Sequence, residues 1–305
     1  MNNSIFDPLP DNPGIAIVGV SGSALDNVAV ERGLQLLRDG GFTVHNYYQH
    51  EQLFQRFGAT DVERLSQLHR AVDNPEVQII MALRGSYGLS RLLPKIDYQH
   101  IANSKKYLVG YSDFNALQMA MLAKTNASSF CGPMICDDFC RAGLSEFTLE
   151  HFIDCIGNSS CTINFEAEDN PALNVSGVLW GGNLAMLTHL VGTEYFPDIS
   201  DGILFVEDIA EHPYRVERMM LQLHFAGILN KQKAIVFGNV SNYKLATHDN
   251  GYNFEEMITY LRNTLDTPVL TGLPFGHIKD KVTLVVGSEA NLVSKENKVT
   301  LFMQY

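Results

Sequence analysis

The first half of the chain alternates short apolar runs with helical stretches, and this alternation limits the folds open to it. Residues 14–20 are apolar and β-branched, a helix behind an Asp26 or Asn27 cap is predicted to run to Asp39, and a second strand follows at 42–47. Strands separated by a helix pair in parallel, so the spacing predicts a parallel sheet with helices on both faces. In such sheets ligands bind at the carboxyl ends of the strands.

The pattern changes near residue 160. Short alternating runs, punctuated by Gly, Asn and Asp, follow at 161–165, 175–179, 203–206, 234–237, 282–286, 290–293 and 299–302. Such runs are typical of strands. We therefore predict two domains, an α/β N-terminal domain over residues 1–158 and a strand-rich, mixed α+β domain over residues 159–305.

Composition excludes several function classes. The 305 residues carry a formal charge of −12 and show no basic cluster, which argues against a nucleic-acid partner. No apolar run approaches the roughly 20 residues of a membrane span, and no export signal is visible, so a cytoplasmic location is expected. Five cysteines in no metal-ligand pattern predict free thiols and no metal site. Residues 19–23 lack the glycine spacing of a dinucleotide site, so no dinucleotide cofactor is expected.

One turn carries a candidate nucleophile. A buried strand at 107–109 breaks at Gly110 and feeds a helix that starts near Phe114. Ser112 therefore lies on a sharp strand-to-helix turn, where its hydroxyl stands clear and free backbone N–H groups face whatever it attacks. The alternative is that Ser112 or Asp113 merely caps the helix.

A serine nucleophile needs a base and an orienting carboxylate. His277 is a candidate base because it follows Gly276 in a glycine-rich loop, although His212, which neighbours acids, stays open. Glu207 and Asp208 end the apolar run 203–206, where a buried carboxylate needs a partner. From position alone, either acid could orient the base.

Several blocks of the chain together resemble the LD-carboxypeptidases of serine peptidase family S66. The blocks are Arg84-Gly85-Ser86-Tyr87-Gly88 with Arg91-Leu92-Leu93, Gly110-Tyr111-Ser112-Asp113, Gly132-Pro133-Met134, Trp180-Gly181-Gly182-Asn183-Leu184, Glu207-Asp208, Glu211-His212-Pro213-Tyr214-Arg215-Val216-Glu217-Arg218 and Gly276-His277. The resemblance implies a Ser112–His277–Glu207 triad. It also implies a flavodoxin-like N-terminal domain, an active site between the two domains, no metal or organic cofactor, and a homodimer.

The activity implied is removal of the C-terminal D-alanine from murein tetrapeptide in peptidoglycan recycling. The backbone N–H groups of Asp113 and Gly85 are the expected oxyanion donors. Arg84 is expected either to bind a substrate carboxylate or to serve as a structural ion-pair partner. Ser86 departs from the family, which more often has glycine there, so a positive φ at this position would strain the loop.

Two other functions fit parts of the pattern. A microcin-immunity peptidase of the same family would cleave a peptidyl-adenylate amide with the same triad, but no aromatic-bearing loop for an adenine is evident. A protein that only binds muropeptides would need no triad. The presence of all three triad residues argues against this second alternative.

Overall fold

The computed structural model describes residues 6–141 and 143–305, and the first half forms the predicted parallel sheet. Its strands are β1 (Gly14–Val18), β2 (Thr43–Asn46), β3 (Ile79–Ala82), β4 (Tyr107–Gly110) and β5 (Ser129–Cys131). They lie in the order β2-β1-β3-β4-β5, and every neighbouring pair is parallel. This is the flavodoxin-like strand order, so the predicted fold of this half is confirmed.

Helices alternate with these strands. They are α1 (Asn27–Asp39), α2 (Asp61–Asp73), α3 (Tyr98–Ser104), α4 (Asn115–Thr125) and α5 (Glu146–Gly157). The predicted first helix is confirmed: the Asp26 carboxylate accepts the backbone N–H groups of Val28 and Ala29, and the helix ends before Gly40. All of β1 and β3 is buried, as expected for strands that pack against helices on both faces.

The second half forms a mixed sheet. Its chain segments are β6 (Ser160–Glu166), β7 (Leu173–Asn183), α6 (Leu184–Leu190), β8 (Ile203–Ile209), α7 (Pro213–Phe225), β9 (Ala234–Ser241), α8 (Phe254–Thr264), β10 (Val269–Leu270), β11 (Leu284–Val286), β12 (Glu289–Lys295) and β13 (Lys298–Gln304). The sheet order is β10-β9-β8-β7-β12-β13-β6, parallel from β10 to β7 and antiparallel from β7 to β6. Within the described ranges, no helix has the length and apolar character needed to cross a bilayer.

One strand of the second half belongs to the first sheet. The run 282–286 was expected in the C-terminal domain, but β11 pairs antiparallel with β5 at the edge of the N-terminal sheet. The predicted division between residues 158 and 159 falls where α5 gives way to β6 and stays a prediction. The crossing of β11 matters for the site, because the chain from β10 to β11 passes from one sheet to the other.

Candidate active site

The candidate nucleophile lies at the carboxyl end of β4. Ser112 opens a single 3₁₀ turn, Ser112–Phe114, which leads directly into α4. Its φ of +61° is a left-handed conformation that costs an L-residue about 1–2 kcal/mol. Neither Ser112 nor Asp113 caps the helix through its side chain, so the capping alternative is wrong. A strained, hydroxyl-bearing residue between strand and helix is the arrangement of a nucleophile elbow.

The side chain of Asp113 fixes this turn to its neighbours. Its Oδ2 accepts hydrogen bonds from Ser21 Oγ at 2.6 Å and from the backbone N of Leu89 at 2.9 Å. Burial raises the pKa of Asp113, and these hydrogen bonds offset only part of that rise. The carboxylate thus joins the loops that follow β1 and β3 to the nucleophile turn. From the sequence, Asp113 was expected to act through its backbone N–H or as a helix cap. The bonds of its side chain to Ser21 and Leu89 could not be predicted, because these residues are distant in the chain.

Gly85 packs directly against the candidate nucleophile. A Cβ placed at residue 85 would lie 2.7 Å from Ser112 Oγ and 3.4 Å from the backbone N of Asp113. Among the described residues, neither the N–H of Gly85 nor that of Asp113 donates to a protein acceptor. Both N–H groups are therefore free to donate, as the donors of an oxyanion hole must be.

The two other predicted residues of this loop have different surroundings. Arg84 Nη1 donates to the backbone O of Ser23 at 2.9 Å, and in the described part of the chain Arg84 forms no ion pair. Its buried Nε has no partner among these residues. Ser86 has a φ of +81°, which confirms the strain expected where the family more often has glycine. Its Oγ accepts a hydrogen bond from Arg56 at 2.9 Å.

The candidate base and acid are joined by a short hydrogen bond. His277 Nδ1 lies 2.7 Å from Glu207 Oε2, and the side chain of Glu207 is fully buried. Gly276 has a φ of +135°, and a Cβ there would lie 3.2 Å from the same Oε2, so glycine allows this close approach. Burial lowers the pKa of His277, but Glu207 and Asp137 raise it, and the pKa lies above its ordinary value of 6.5.

The structure distinguishes the two adjacent acids. Asp208 Oδ2 accepts the backbone N–H of Ala185 at 2.9 Å, at the start of α6, whereas Glu207 reaches the imidazole. A bulge between Val206 and Asp208 interrupts the pairing of β8 with β9 at this point. Burial and the neighbouring Glu207 raise the pKa of Asp208 to about 6. Glu207 is therefore the acid placed to orient His277.

Asn183 supports the carboxylate pair, a role that the sequence did not reveal. Its Nδ2 donates to Glu207 Oε1 and to Asp208 Oδ1, both at 3.1 Å. Its backbone N donates to the side chain of Asn115, the first residue of α4, at 3.0 Å. Asn183 therefore links the acid on the second sheet to the helix behind the nucleophile. The only sequence signal was its place after two glycines at a strand end.

The base lies close to the nucleophile turn. The ring centroids of His277 and Tyr111, the residue before Ser112, are 4.9 Å apart. Among the described residues, Ser112 and His277 form no hydrogen bond to each other, while His277 is bonded to Glu207. Catalytic hydrogen bonds often tighten only in the complex with substrate.

Three other histidines lie in or next to helices of the second half of the chain. His212, left open by the sequence, caps α7 and lies 3.1 Å from Asp249, and Pro213 begins that helix as predicted. His189 lies in α6 and His224 in α7. Within residues 6–141 and 143–305, no group of three or more His, Cys, Asp or Glu side chains is arranged to hold a metal ion.

Comparisons with known proteins identify the family of the chain. A family model described as the LD-carboxypeptidase N-terminal domain matches residues 15–132, and one described as the C-terminal domain matches residues 176–292. The crystal structure of a muramoyltetrapeptide carboxypeptidase from Oxalobacter formigenes is 50% identical, with a TM-score of 0.92 over 96% of this chain and 99% of that chain.

More distant relatives include two functional types. The microcin C7 self-immunity protein MccF of Escherichia coli is 28% identical over 90% of this chain and 88% of its own. A structure of MccF with aspartyl sulfamoyl adenosine has a TM-score of 0.89, at 26% identity over 98% of each chain. A Bacillus subtilis protein named as a probable murein peptide carboxypeptidase is 28% identical over 79% of this chain and 76% of its own. The chain belongs to the S66 family of LD-carboxypeptidases and is a serine-type carboxypeptidase.

Proposed function

We propose that this chain is an LD-carboxypeptidase that removes the C-terminal D-alanine from murein tetrapeptide during peptidoglycan recycling. One observation carries the proposal: a buried 2.7 Å His277–Glu207 pair contacts the ring of Tyr111, the residue that directly precedes the strained Ser112. The Oxalobacter neighbour, named for this activity, supports the choice of substrate. The bond cleaved would join meso-diaminopimelate to D-alanine.

In the proposed mechanism, His277 takes the proton of Ser112 as Ser112 Oγ attacks the carbonyl carbon of this bond. The N–H groups of Asp113 and Gly85 hold the resulting oxyanion, and each such donor is typically worth about 3–4 kcal/mol of barrier. His277 then protonates the departing amine of D-alanine. Water, deprotonated by His277, hydrolyses the acyl-enzyme and returns Ser112. Glu207 keeps the imidazole in one tautomer and stabilises its cation.

The test is incubation of the purified protein with murein tetrapeptide, with released D-alanine followed by mass spectrometry. The wild type should release D-alanine, and a Ser112→Ala control that folds equally well should release none. A tetrapeptide ending in L-alanine, run in parallel, should stay intact. Release by Ser112→Ala would refute the nucleophile assignment.

Failure of a folded wild type to release D-alanine would refute the proposed substrate. A peptidyl sulfamoyl-adenylate is the next substrate to test, because MccF has a similar fold. Binding of the tetrapeptide without turnover by the wild type would instead favour a muropeptide-binding protein.

We further propose a cytoplasmic location and a homodimer. Cell fractionation with an antibody tests the first, since recovery in the membrane or exported fraction would contradict it. Light scattering after size exclusion tests the second, with an expected mass of twice the 34.0 kDa of one chain.

A further inference from the structure

The loop between β10 and β11, residues 271–283, carries His277 from one sheet to the other. On the second-sheet side, the backbone N of Asn239 donates to the O of Phe275 at 2.7 Å, and Ser241 Oγ donates to the O of His277 at 3.4 Å. The far end of the loop enters the first sheet at Leu284. Because Ser112 belongs to the first sheet and Glu207 to the second, this loop sets the separation of base and nucleophile.

A fully buried lysine anchors the far end of the loop. Lys281 has no exposed surface, and its Nζ donates to Asp138 Oδ1 and, at 3.1 Å, to the hydroxyl of Tyr111. A buried ammonium costs several kcal/mol unless it is paired and hydrogen-bonded. Both partners belong to the first half of the chain. Asp138 lies in the turn Ile135–Phe139 that follows β5, and Tyr111 directly precedes Ser112.

Tyr111 contacts both the lysine and the base. Lys281 Nζ lies 4.6 Å from the centroid of the Tyr111 ring, and the centroid of the His277 imidazole lies 4.9 Å from the same point. Burial raises the pKa of Tyr111 well above 10, and the nearby Asp138 adds to the rise. The phenol therefore stays neutral, and its hydroxyl accepts from Lys281.

We propose that Lys281, Tyr111 and Asp138 form a positioning network that fixes the His277 imidazole relative to Ser112. The network rests on the proposed Ser112–His277–Glu207 mechanism, and none of its members is proposed to touch the substrate. Asp138 holds Lys281, Lys281 holds the Tyr111 ring, and the ring forms a wall beside the imidazole. Glu207 holds the imidazole by one nitrogen only, so the imidazole could still rotate about that hydrogen bond. The Tyr111 ring limits this rotation.

The network also affects the charge state of the base. The groups that face His277 are Glu207 from β8, Asp137 from the turn after β5, Lys281 from its own loop and the neutral Tyr111 from the end of β4. Burial lowers the pKa of His277, Glu207 and Asp137 raise it, and Lys281 lowers it. Loss of the Lys281 cation alone would therefore raise the pKa of His277, and a higher pH would then be needed to keep the imidazole neutral.

The test compares two variants with one control. Removing Lys281 alone would leave Asp138 as an unpaired buried charge, so Lys281→Met is combined with Asp138→Asn to remove both charges. Tyr111→Phe removes only the hydroxyl and keeps the ring. The control is Lys106→Met, because Lys106 Nζ donates to backbone oxygens of Ala71 and Asn74 at the opposite end of β4.

Two readouts separate this inference from the proposed substrate. The first is the rate at which a fluorophosphonate labels Ser112, which needs an activated serine but no muropeptide. The second is D-alanine release, with kcat and KM measured across pH. A wild type that labels but releases no D-alanine refutes only the substrate; a wild type that does not label refutes the serine mechanism and this inference together.

The double variant is expected to label about 10–100-fold more slowly and to lose kcat by a similar factor, because misplacement by about 1 Å costs up to 100-fold. KM should change less than about threefold. Tyr111→Phe should show a smaller loss, and Lys106→Met none. Wild-type labelling and kcat in a folded double variant would overturn the inference; if that variant does not fold, wild-type values in Tyr111→Phe would overturn it.

Discussion

Replacing Gly85 with alanine tests the arrangement around the candidate nucleophile most directly. The new Cβ would lie 2.7 Å from Ser112 Oγ and 2.8 Å from Ser112 Cβ, whereas real Cβ contacts essentially never fall below 3.0 Å. The φ of Gly85 is not positive, so alanine suits its backbone and the contact itself is the perturbation. Ser112 cannot yield easily, because Asp113 ties its turn to two other loops.

Two costs follow from this contact. Overpacking of this kind typically destabilises by about 1–3 kcal/mol, which thermal unfolding would measure. The methyl group would also lie 3.4 Å from the Asp113 N, whose N–H we propose as an oxyanion donor. Losing one oxyanion donor lowers kcat by about 100–1,000-fold, so we expect kcat/KM for D-alanine release to fall by at least 100-fold.

Gly157→Ala is the matched control. Gly157 is the last residue of α5, and a Cβ there meets no atom within 4 Å. Alanine should leave kcat/KM unchanged and stabilise the helix by up to about 1 kcal/mol. Wild-type kcat/KM in Gly85→Ala, at a temperature where it is folded, would refute the proposed placement of the oxyanion.

Three further outcomes follow from the same site. Ser112→Gly and Ser112→Ala should both be inactive. The free energy of unfolding should be higher for the glycine variant by about 1 kcal/mol, because the φ of +61° suits glycine; equal stabilities would contradict the strain. Ser86→Gly should raise stability by a similar amount and keep kcat/KM within about threefold, and a lower melting temperature would argue against strain at φ +81°. Glu207→Gln should lower kcat by about 100–10,000-fold and move the acid limb of kcat/KM to lower pH. The sign follows because the neutral imidazole is the base and the Glu207 carboxylate raises its pKa; an acid limb that stays in place would show that Glu207 does not set the pKa of His277.

Local features of the fold could be predicted from the sequence because short-range chemistry determines them. The Asp26 cap, the end of α1 before Gly40 and the proline that starts α7 were each visible in a few neighbouring residues. The parallel sheet with helices on both faces followed from the alternation of strand and helix, whereas the flavodoxin-like order was implied by the resemblance to the family. The place of β11 could not be predicted, because its partner β5 lies about 150 residues earlier and its apolar pattern fits either sheet.

The same distinction applies to the site. The strand-to-helix turn marked Ser112 as a candidate nucleophile, although the same turn also fitted a helix cap. Nothing local separates Glu207 from Asp208, which differ only in what lies opposite them in the folded chain. The resemblance to the family favoured Glu207, and the hydrogen bond to His277 now gives the physical reason. Lys281 was missed altogether, since a lysine in a polar loop has no sign of burial until the two sheets pack.

The residues of the site are divided between the two sheets, and this division explains why His277 is hydrogen-bonded to Glu207 but not to Ser112. Glu207 lies on β8, and the loop that bears His277 is bonded to the neighbouring β9, so base and acid are preformed as one unit at 2.7 Å. Ser112, by contrast, belongs to the first sheet, where the Asp113 carboxylate ties its turn to the backbone of Leu89 in the loop after β3. The His277–Glu207 hydrogen bond therefore lies within one unit, whereas a Ser112–His277 contact has to form between two units, and its geometry depends on how the two sheets pack.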